Sequence, residues 1–402
     1  MNFITQEELG QITTLRHQLH SKPQLSKNEQ DTASTIIDFL TPLQPYKIFT
    51  NVGGYGVVAQ FVIDKSLFHS GSENIGNILL RAELDALPIS EKNECNYKSK
   101  NRGVAHSCGH DGHMAILCGV ALWLSRCQQK SLSLAQQEKL SSSKRSIYLI
   151  FQPAEEIGEG AKEMVKEFEK LGIDYEYAFA LHNWPLIEEN EIIIFPECYA
   201  WGSTGMIINF KSESSHASEP ENSARIDLLI SKLLLEIDRL NQKESFSTCI
   251  GIEMGERKFG TSPGSGTLLL TVRGKGEKEL DLLIEKIEQK AKDVAKENEK
   301  CCNKKIETEI SYCDIFPPCI NHCDANKYIE KALSALNLKS RKNYLGDRGS
   351  DDFCYFSNEK KGGFFNIGAG VEKAQIHSSK FDFNDNLIIT GVNMFCQIIS
   401  EF

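Results

Sequence analysis

Apolar and polar positions alternate along this chain in two rhythms. Ile147-Tyr148-Leu149-Ile150-Phe151 and Tyr177-Ala178-Phe179-Ala180-Leu181-His182 are short apolar runs, the pattern of strands buried on both faces of a sheet. Ile78 to Leu84 reads the same way and is closed by Pro88. Between these runs the apolar residues shift to helical spacing. Ile116, Leu117, Val120, Ala121 and Leu124 share one helix face, and the spacing resumes from Ala161 to Phe168. Asp111 stands two residues ahead of the first of these helices, where a capping carboxylate is expected. Strand, helix, strand, helix in this order predicts an α/β domain around a mainly parallel sheet.

From about 203 to 313 the rhythm changes. Gly205 to Phe210 reads as a strand, Arg225 to Leu240 as a helix, Thr248 to Glu253 and Thr267 to Val272 as strands. Glu277 to Lys300 follows as a long charged helix, and Ile306 to Ser311 as a strand. The order β-α-β-β-α-β is the ferredoxin-like unit. We read it as a smaller domain, 203–313, inserted into a larger one formed by 1–202 and 314–402. The larger domain resumes with a helix from Ala325 to Leu336 and a strand from Gly363 to Ile367. Two polar stretches, Asp64 to Asn77 and Gln128 to Ser146, read as solvated insertions.

Composition places this pattern among globular proteins. The chain has 402 residues, 41% hydrophobic and 25% charged, enough for more than one core. Its formal charge of -10 argues against a nucleic-acid partner, which calls for a basic face. No apolar run has membrane-spanning length, so no membrane partner is expected. The 13 cysteines are scattered and odd in number, and Met1 to Glu8 carries no leader pattern. A reducing cytoplasm is the expected location.

The chemistry concentrates at His106-Ser107-Cys108-Gly109-His110-Asp111-Gly112-His113. One thiol, three imidazoles and a carboxylate are separated only by small residues, which suits a divalent metal better than a core. Cys108 and His110 are spaced i, i+2, so in extended backbone both leave one face. A second motif, Phe151-Gln152-Pro153-Ala154-Glu155-Glu156, puts two carboxylates directly after a buried strand. Open α/β sheets bind ligands beyond the carboxyl ends of their strands. His182 and His377 each end an apolar, strand-like approach, although a lone histidine in such a place is more often structural. Together Cys108, His110, Glu156, His182 and His377 form a five-donor set. That exceeds one closed tetrahedral zinc and suits two ions about 3.5 Å apart sharing a water, with Glu155 as the general base.

Further stretches make the chain recognisable. Leu15-Arg16-His17-Gln18-Leu19-His20, Arg81-Ala82-Glu83-Leu84-Asp85-Ala86-Leu87-Pro88, the segment 106–113 and Gln152 to Glu156 follow in order. Ser350-Asp351-Asp352-Phe353, Ile367-Gly368-Ala369-Gly370 and Phe381-Asp382-Phe383-Asn384 come later. On these motifs the chain resembles the M20 metallopeptidases. The similar branch is the amidohydrolases, which include hippurate hydrolases, N-acyl-amino-acid deacylases and plant auxin-conjugate hydrolases. The resemblance implies a phosphorylase/hydrolase-like catalytic domain and a dimerisation role for the inserted ferredoxin-like domain. It implies that the five donors are ligands of two divalent ions, Zn, Mn, Co or Ni, that Glu155 is the base, and that Asp85 orients the centre.

By the same resemblance His216 reaches into the partner's active site in a homodimer and steadies the oxyanion. Arg273 holds the substrate carboxylate. Asp111 and His113 match family positions without being ligands, and His106 is structural. Two departures stand out. Ser214 and Ser215 replace the glycines before His216, and although Pro263 keeps the family's ten-residue spacing to Arg273, Gly260 stands three residues before it where the family has Asn. The expected substrate is an N-acyl amino acid. The alternatives are a peptidase acting on short peptides and a binding protein that has lost hydrolysis.

Overall fold

The computed structural model describes residues 2–64, 67, 76–136 and 144–402. Two helices open the chain, α1 (Gln6–Ser21) and α2 (Gln30–Leu40), followed by strands β1 (Lys47–Val52), β2 (Gly56–Asp64) and β3 (Ile78–Glu83). Then come α3 (His110–Gln136), β4 (Lys144–Gln152), α4 (Gly160–Leu171), β5 (Tyr177–Pro185), β6 (Ile192–Ile194) and β7 (Cys198–Ala200). The middle of the chain holds β8 (Gly202–Lys211), α5 (Ile226–Asp238), β9 (Ser245–Met254), β10 (Ser265–Gly274), α6 (Glu277–Cys302) and β11 (Glu307–Phe316). The last part holds β12 (Cys319–Ile320), α7 (Cys323–Leu336), β13 (Ser340–Lys342), α8 (Cys354–Ser357), β14 (Lys361–Gly370) and α9 (Asn386–Ser400). The expected insertions are only partly described. Residues 128–136 continue α3 and 144–146 begin β4, while 65–66, 68–75 and 137–143 lie outside the described residues.

The chain divides into two compact units, one of residues 1–199, 319–344 and 351–402, the other of 200–318 and 345–350. In the first, eight strands form one mixed sheet in the order β1-β2-β4-β3-β5-β14-β6-β13. The central run β4, β3, β5 and β14 is parallel, and the antiparallel pairs lie toward the edges. Every residue of β3 is buried, as the continuous apolar run requires. The helix α1 opens on a capping box: Thr5 accepts from the Glu8 N–H while Glu8 accepts from the Thr5 N–H. α3 is buried around most of its first four turns, against α1 and α9. Gly119 permits that approach, because a Cβ there would stand 2.5 Å from Val392 and 2.9 Å from Ile12.

Asp111 is not a cap ahead of α3. The helix begins at His110, and the Asp111 carboxylate turns inward to Arg16 and His20. That burial is stable because the charge is paired on two sides.

The second unit is an antiparallel sheet, β11-β8-β10-β9, with α5 and α6 over one face. Along β10 every second residue is buried, so Leu268, Leu270 and Val272 face Leu229, Ile230 and Leu233 of α5 and Leu283 and Ile287 of α6. Each such side chain removed from water contributes ~2 kcal/mol. Among the described residues no helix is long and apolar enough to cross a membrane.

Candidate metal centre

Four parallel strands deliver their carboxyl ends to one place in the first unit. Asp85 follows β3, Glu155 and Glu156 follow β4, His182 lies within the end of β5, and His377 follows β14. Cys108 and His110 arrive at the head of α3. The extended alternation expected for that pair is absent. Gly109 between them has φ +102°, so a left-handed turn, not a strand pleat, aims thiol and imidazole together. His377 likewise does not end a strand. It sits in the loop beyond β14 at φ +60°, its N–H donating to the Ser107 carbonyl at 2.7 Å.

The five donor positions converge. The ligand atoms of Cys108, His110 and His182 lie within 4.8 Å of one another, and so do those of Cys108, Glu156 and His377. Cys108 belongs to both sets. Its Sγ is 3.3 Å from His182 Nε2, and His377 Nε2 is 3.7 Å from Glu156 Oε2. His110 Nε2 is 3.8 Å from both Glu155 Oε2 and Glu156 Oε1. Cys108, His110 and His182 are buried, whereas the His377 side chain is 51% exposed.

Backbone carbonyls fix the ring tautomers. His110 Nδ1 donates to the Asp85 carbonyl at 2.9 Å and His182 Nδ1 to the Asn183 carbonyl at 2.8 Å. In the neutral ring each Nε2 then carries a lone pair facing the cluster. His110 Nε2 and Glu156 Oε1 are buried with no hydrogen-bond partner. Bare nitrogen and oxygen donors around a thiol fit divalent ions.

The charge balance points the same way. Glu83, Glu155, Asp351 and Asp352 crowd around one buried guanidinium, Arg81, and Asp85 and Glu156 stand beside His110. Burial, with Asp351 and Glu156 nearby, holds the Glu155 carboxyl well above the usual range. Burial pushes Glu156 up to about 7 against the opposing pull of His110. Burial alone would lower His110, but Glu83, Asp85 and Glu156 outweigh it and raise it to about 10. Such a site takes up cations, whether protons or metal. Burial, with Glu156 and Glu155 adjacent, pushes the Cys108 thiol well up, so thiolate formation there calls for a counter-cation.

Asp85 holds two peptides and a ring in register. Its Oδ2 accepts from Glu156 N–H at 3.0 Å and from Ser26 Oγ at 2.8 Å, and its carbonyl accepts from His110. His106 is buried with neither ring nitrogen bonded, and burial lowers it to about 4.

Other site residues carried no role in the sequence reading. His113 Nδ1 is 2.7 Å from Glu83 Oε2, its Nε2 is 2.7 Å from Asn183 Oδ1, and its ring lies edge-on to His182. Arg81 binds Glu83, Gln152 at 2.8 Å, Asp351 at 3.0 Å and Asp352 at 3.1 Å. The available signal was Arg81 and Glu83 themselves, two charges inside an otherwise apolar strand.

His216 and Arg273 belong to the second unit and are not part of this cluster. His216 is exposed on the loop after β8, its Nδ1 2.7 Å from Ser218 Oγ. Arg273, on β10, donates to the Arg348 carbonyl and to Ser350 Oγ, both at 2.9 Å. The Gly260 carbonyl accepts from the Ala217 N–H at 3.0 Å, one residue from His216.

The family model described as peptidase family M20/M25/M40 matches residues 79–401. The chain is 27% identical to hippurate hydrolase of Campylobacter jejuni over 98% of its own length and 97% of that protein. It is 28% identical to an uncharacterised hydrolase of Staphylococcus epidermidis, over 98% of this chain and 99% of the other. Its fold matches that of the Bacillus subtilis YXEP protein, described as a dinuclear metal binding peptidase from the M20 family. That match has a TM-score of 0.80 at 21% identity and covers 99% of each chain.

Proposed function

Because this chain belongs to peptidase family M20/M25/M40, we propose that it hydrolyses the amide bond of N-acyl amino acids with two divalent metal ions. The observation that carries this reading is the meeting of two three-residue donor sets at Cys108. Cys108, His110 and His182 would hold one ion, and Cys108, Glu156 and His377 the other. Bound ions supply Lewis acidity toward an amide carbonyl and make water a stronger acid near neutral pH. The mixed S, N and O donors admit Zn, Mn, Co or Ni.

The protein's own groups supply the rest. Asp85 orients His110 and fixes the peptide of Glu156. Glu155, buried and with its affinity for protons raised, accepts a proton from the attacking water. It then delivers that proton to the leaving nitrogen. In this reading Arg273 binds the substrate carboxylate as a guanidinium fork, and His216 donates to the developing oxyanion in a second copy of the chain. A homodimer through the second unit is supported by the edge strand β9, which exposes Ile250, Ile252 and Met254.

The test is a hydrolysis screen with Zn, Mn, Co and Ni, metal content being measured on the same sample. Its substrates are hippurate, N-acetyl amino acids, N-succinyl and N-acetyl diaminopimelate, and a set of dipeptides. Release of free amino acid from an N-acyl substrate is expected. Cleavage of dipeptides alone would replace the substrate reading. Glu155→Gln should keep its metal and lose turnover roughly 100- to 10,000-fold. Near-normal turnover in that variant would remove the base assignment.

A further inference from the structure

The segment between α1 and α2 supplies none of the donor residues above, yet it grips the turn that carries Glu155. Leu25 bridges to Ala86. Ser26 Oγ donates to Asp85 Oδ2 at 2.8 Å, and Lys27 Nζ pairs with Glu159 Oε2 at 2.6 Å. Glu29, wholly buried, reaches across so that its Oε1 accepts the Ala154 N–H at 2.8 Å.

That last bond falls at a sensitive place. Ala154 has φ +52°, a left-handed conformation uncommon for a residue with a side chain. It is held in this state from several directions. The Gly160 N–H donates to its carbonyl at 3.3 Å, and the Gly158 N–H donates to the Glu155 carbonyl at 2.8 Å. On the far side of Glu155, the Glu156 N–H donates to Asp85. Two buried carboxylates, Glu29 and Asp85, thus clamp the peptide groups on either side of Glu155. The reversal at Ala154 redirects the chain after β4, so where the Glu155 carboxylate points depends on that clamp.

We propose that Glu29 is a positioning residue for Glu155, acting through the Ala154 N–H. The proposal rests on the reading of Glu155 as proton acceptor. Its working part is an acceptor oxygen, not a charge. An amide oxygen at position 29 does the same task and an apolar side chain of equal length does not. Loss of the acceptor leaves the Ala154 N–H buried without a partner and lets the turn relax.

The experiment compares full-length wild type, Glu29→Gln, Glu29→Met and Glu155→Gln. Amide exchange across residues 152–158 is followed by mass spectrometry in metal-free and Mn-loaded protein. Turnover is followed on the N-acyl amino acid of the panel that the wild type hydrolyses fastest. Glu29→Met should take up metal normally, exchange faster at this turn in both states, and lose kcat roughly 10- to 100-fold with KM within about twofold. Glu29→Gln should restore both protection and kcat. Wild-type protection in Glu29→Met overturns the proposal, and so does a Glu29→Gln that fails alongside it. If Glu29→Met does not fold, protection in Glu29→Gln decides: loss overturns, retention supports. A Glu155→Gln that still turns over removes the proton-acceptor reading and leaves amide exchange to judge the clamp by itself.

Discussion

The side-chain oxygen of Asn183 occupies the space a Cβ on Gly109 would need: the two would stand 2.0 Å apart. Asn183 cannot easily move, since its carboxamide is also bound to His113 at 2.7 Å. The backbone there is left-handed as well. Gly109→Ala should therefore destabilise the fold by at least about 2 kcal/mol and misalign Cys108 from His110. Urea unfolding of the metal-free protein and calorimetric titration with Mn²⁺ measure the two effects. Unchanged values in both would contradict the role of this turn.

Cys108 is common to both donor sets, and His377 to only one. Cys108→Ser should lose most of both ions, whereas His377→Asn should lose about half of the bound metal. Metal content after dialysis, by mass spectrometry, distinguishes the two patterns. Chelation should lower the melting temperature of the wild type. Adding metal back at about 100 times Kd should recover roughly 2.7 kcal/mol of stability. Equal metal loss in the two variants would argue against a shared thiol.

His20 supplies a stability signal with a definite sign. Burial lowers its affinity for protons, but Asp111, at 2.8 Å from Nδ1, and Glu91, at 3.2 Å from Nε2, outweigh that and raise it to about 10. The folded value lies above the unfolded one, so the stabilisation is full below about pH 6.5. It declines as pH rises and is lost above about 10. Measured on chelated protein, the stability gap between wild type and His20→Gln should shrink by up to about 1.4 kcal/mol per pH unit in that window. A gap independent of pH would show that His20 is neutral in the fold.

Gly260 has open space where a side chain would begin, with no atom within 4 Å of a built Cβ. Gly260→Asn should thus fold with an unchanged melting temperature. Under the proposed function it should raise kcat/KM on N-acyl amino acids, because it restores a polar group beside the His216 loop. Steady-state kinetics on the panel substrates checks this. A fall in kcat/KM would indicate that glycine here serves a different substrate shape.

The sequence pattern carried the sheet well where burial was two-sided. The apolar runs at 147–151 and 177–182 lie inside β4 and β5, since central parallel strands have no solvent face to encode. The helix α1 is weakly patterned in the sequence, because its inner face carries Arg16 and His20 rather than a clean apolar stripe. At the site, residue types were legible but not the geometry that joins them. The Cys108–His110 convergence came from a glycine turn instead of alternation, and Asp111 pairs with α1 instead of capping α3. Contacts such as Arg81 with Asp352, or Glu29 with Ala154, join positions more than a hundred residues apart, and no local period records them.

The return of residues 345–350 to the second unit bears on how this protein can be cut into pieces. Trp201 N–H donates to the Asp347 carbonyl at 2.9 Å, its indole N–H to the Leu345 carbonyl at 2.9 Å, and Arg273 to Ser350. A fragment expressed from a contiguous stretch ending near 318 would leave those donors bare. Any autonomous version must therefore graft the hexapeptide back on, for instance by circular permutation.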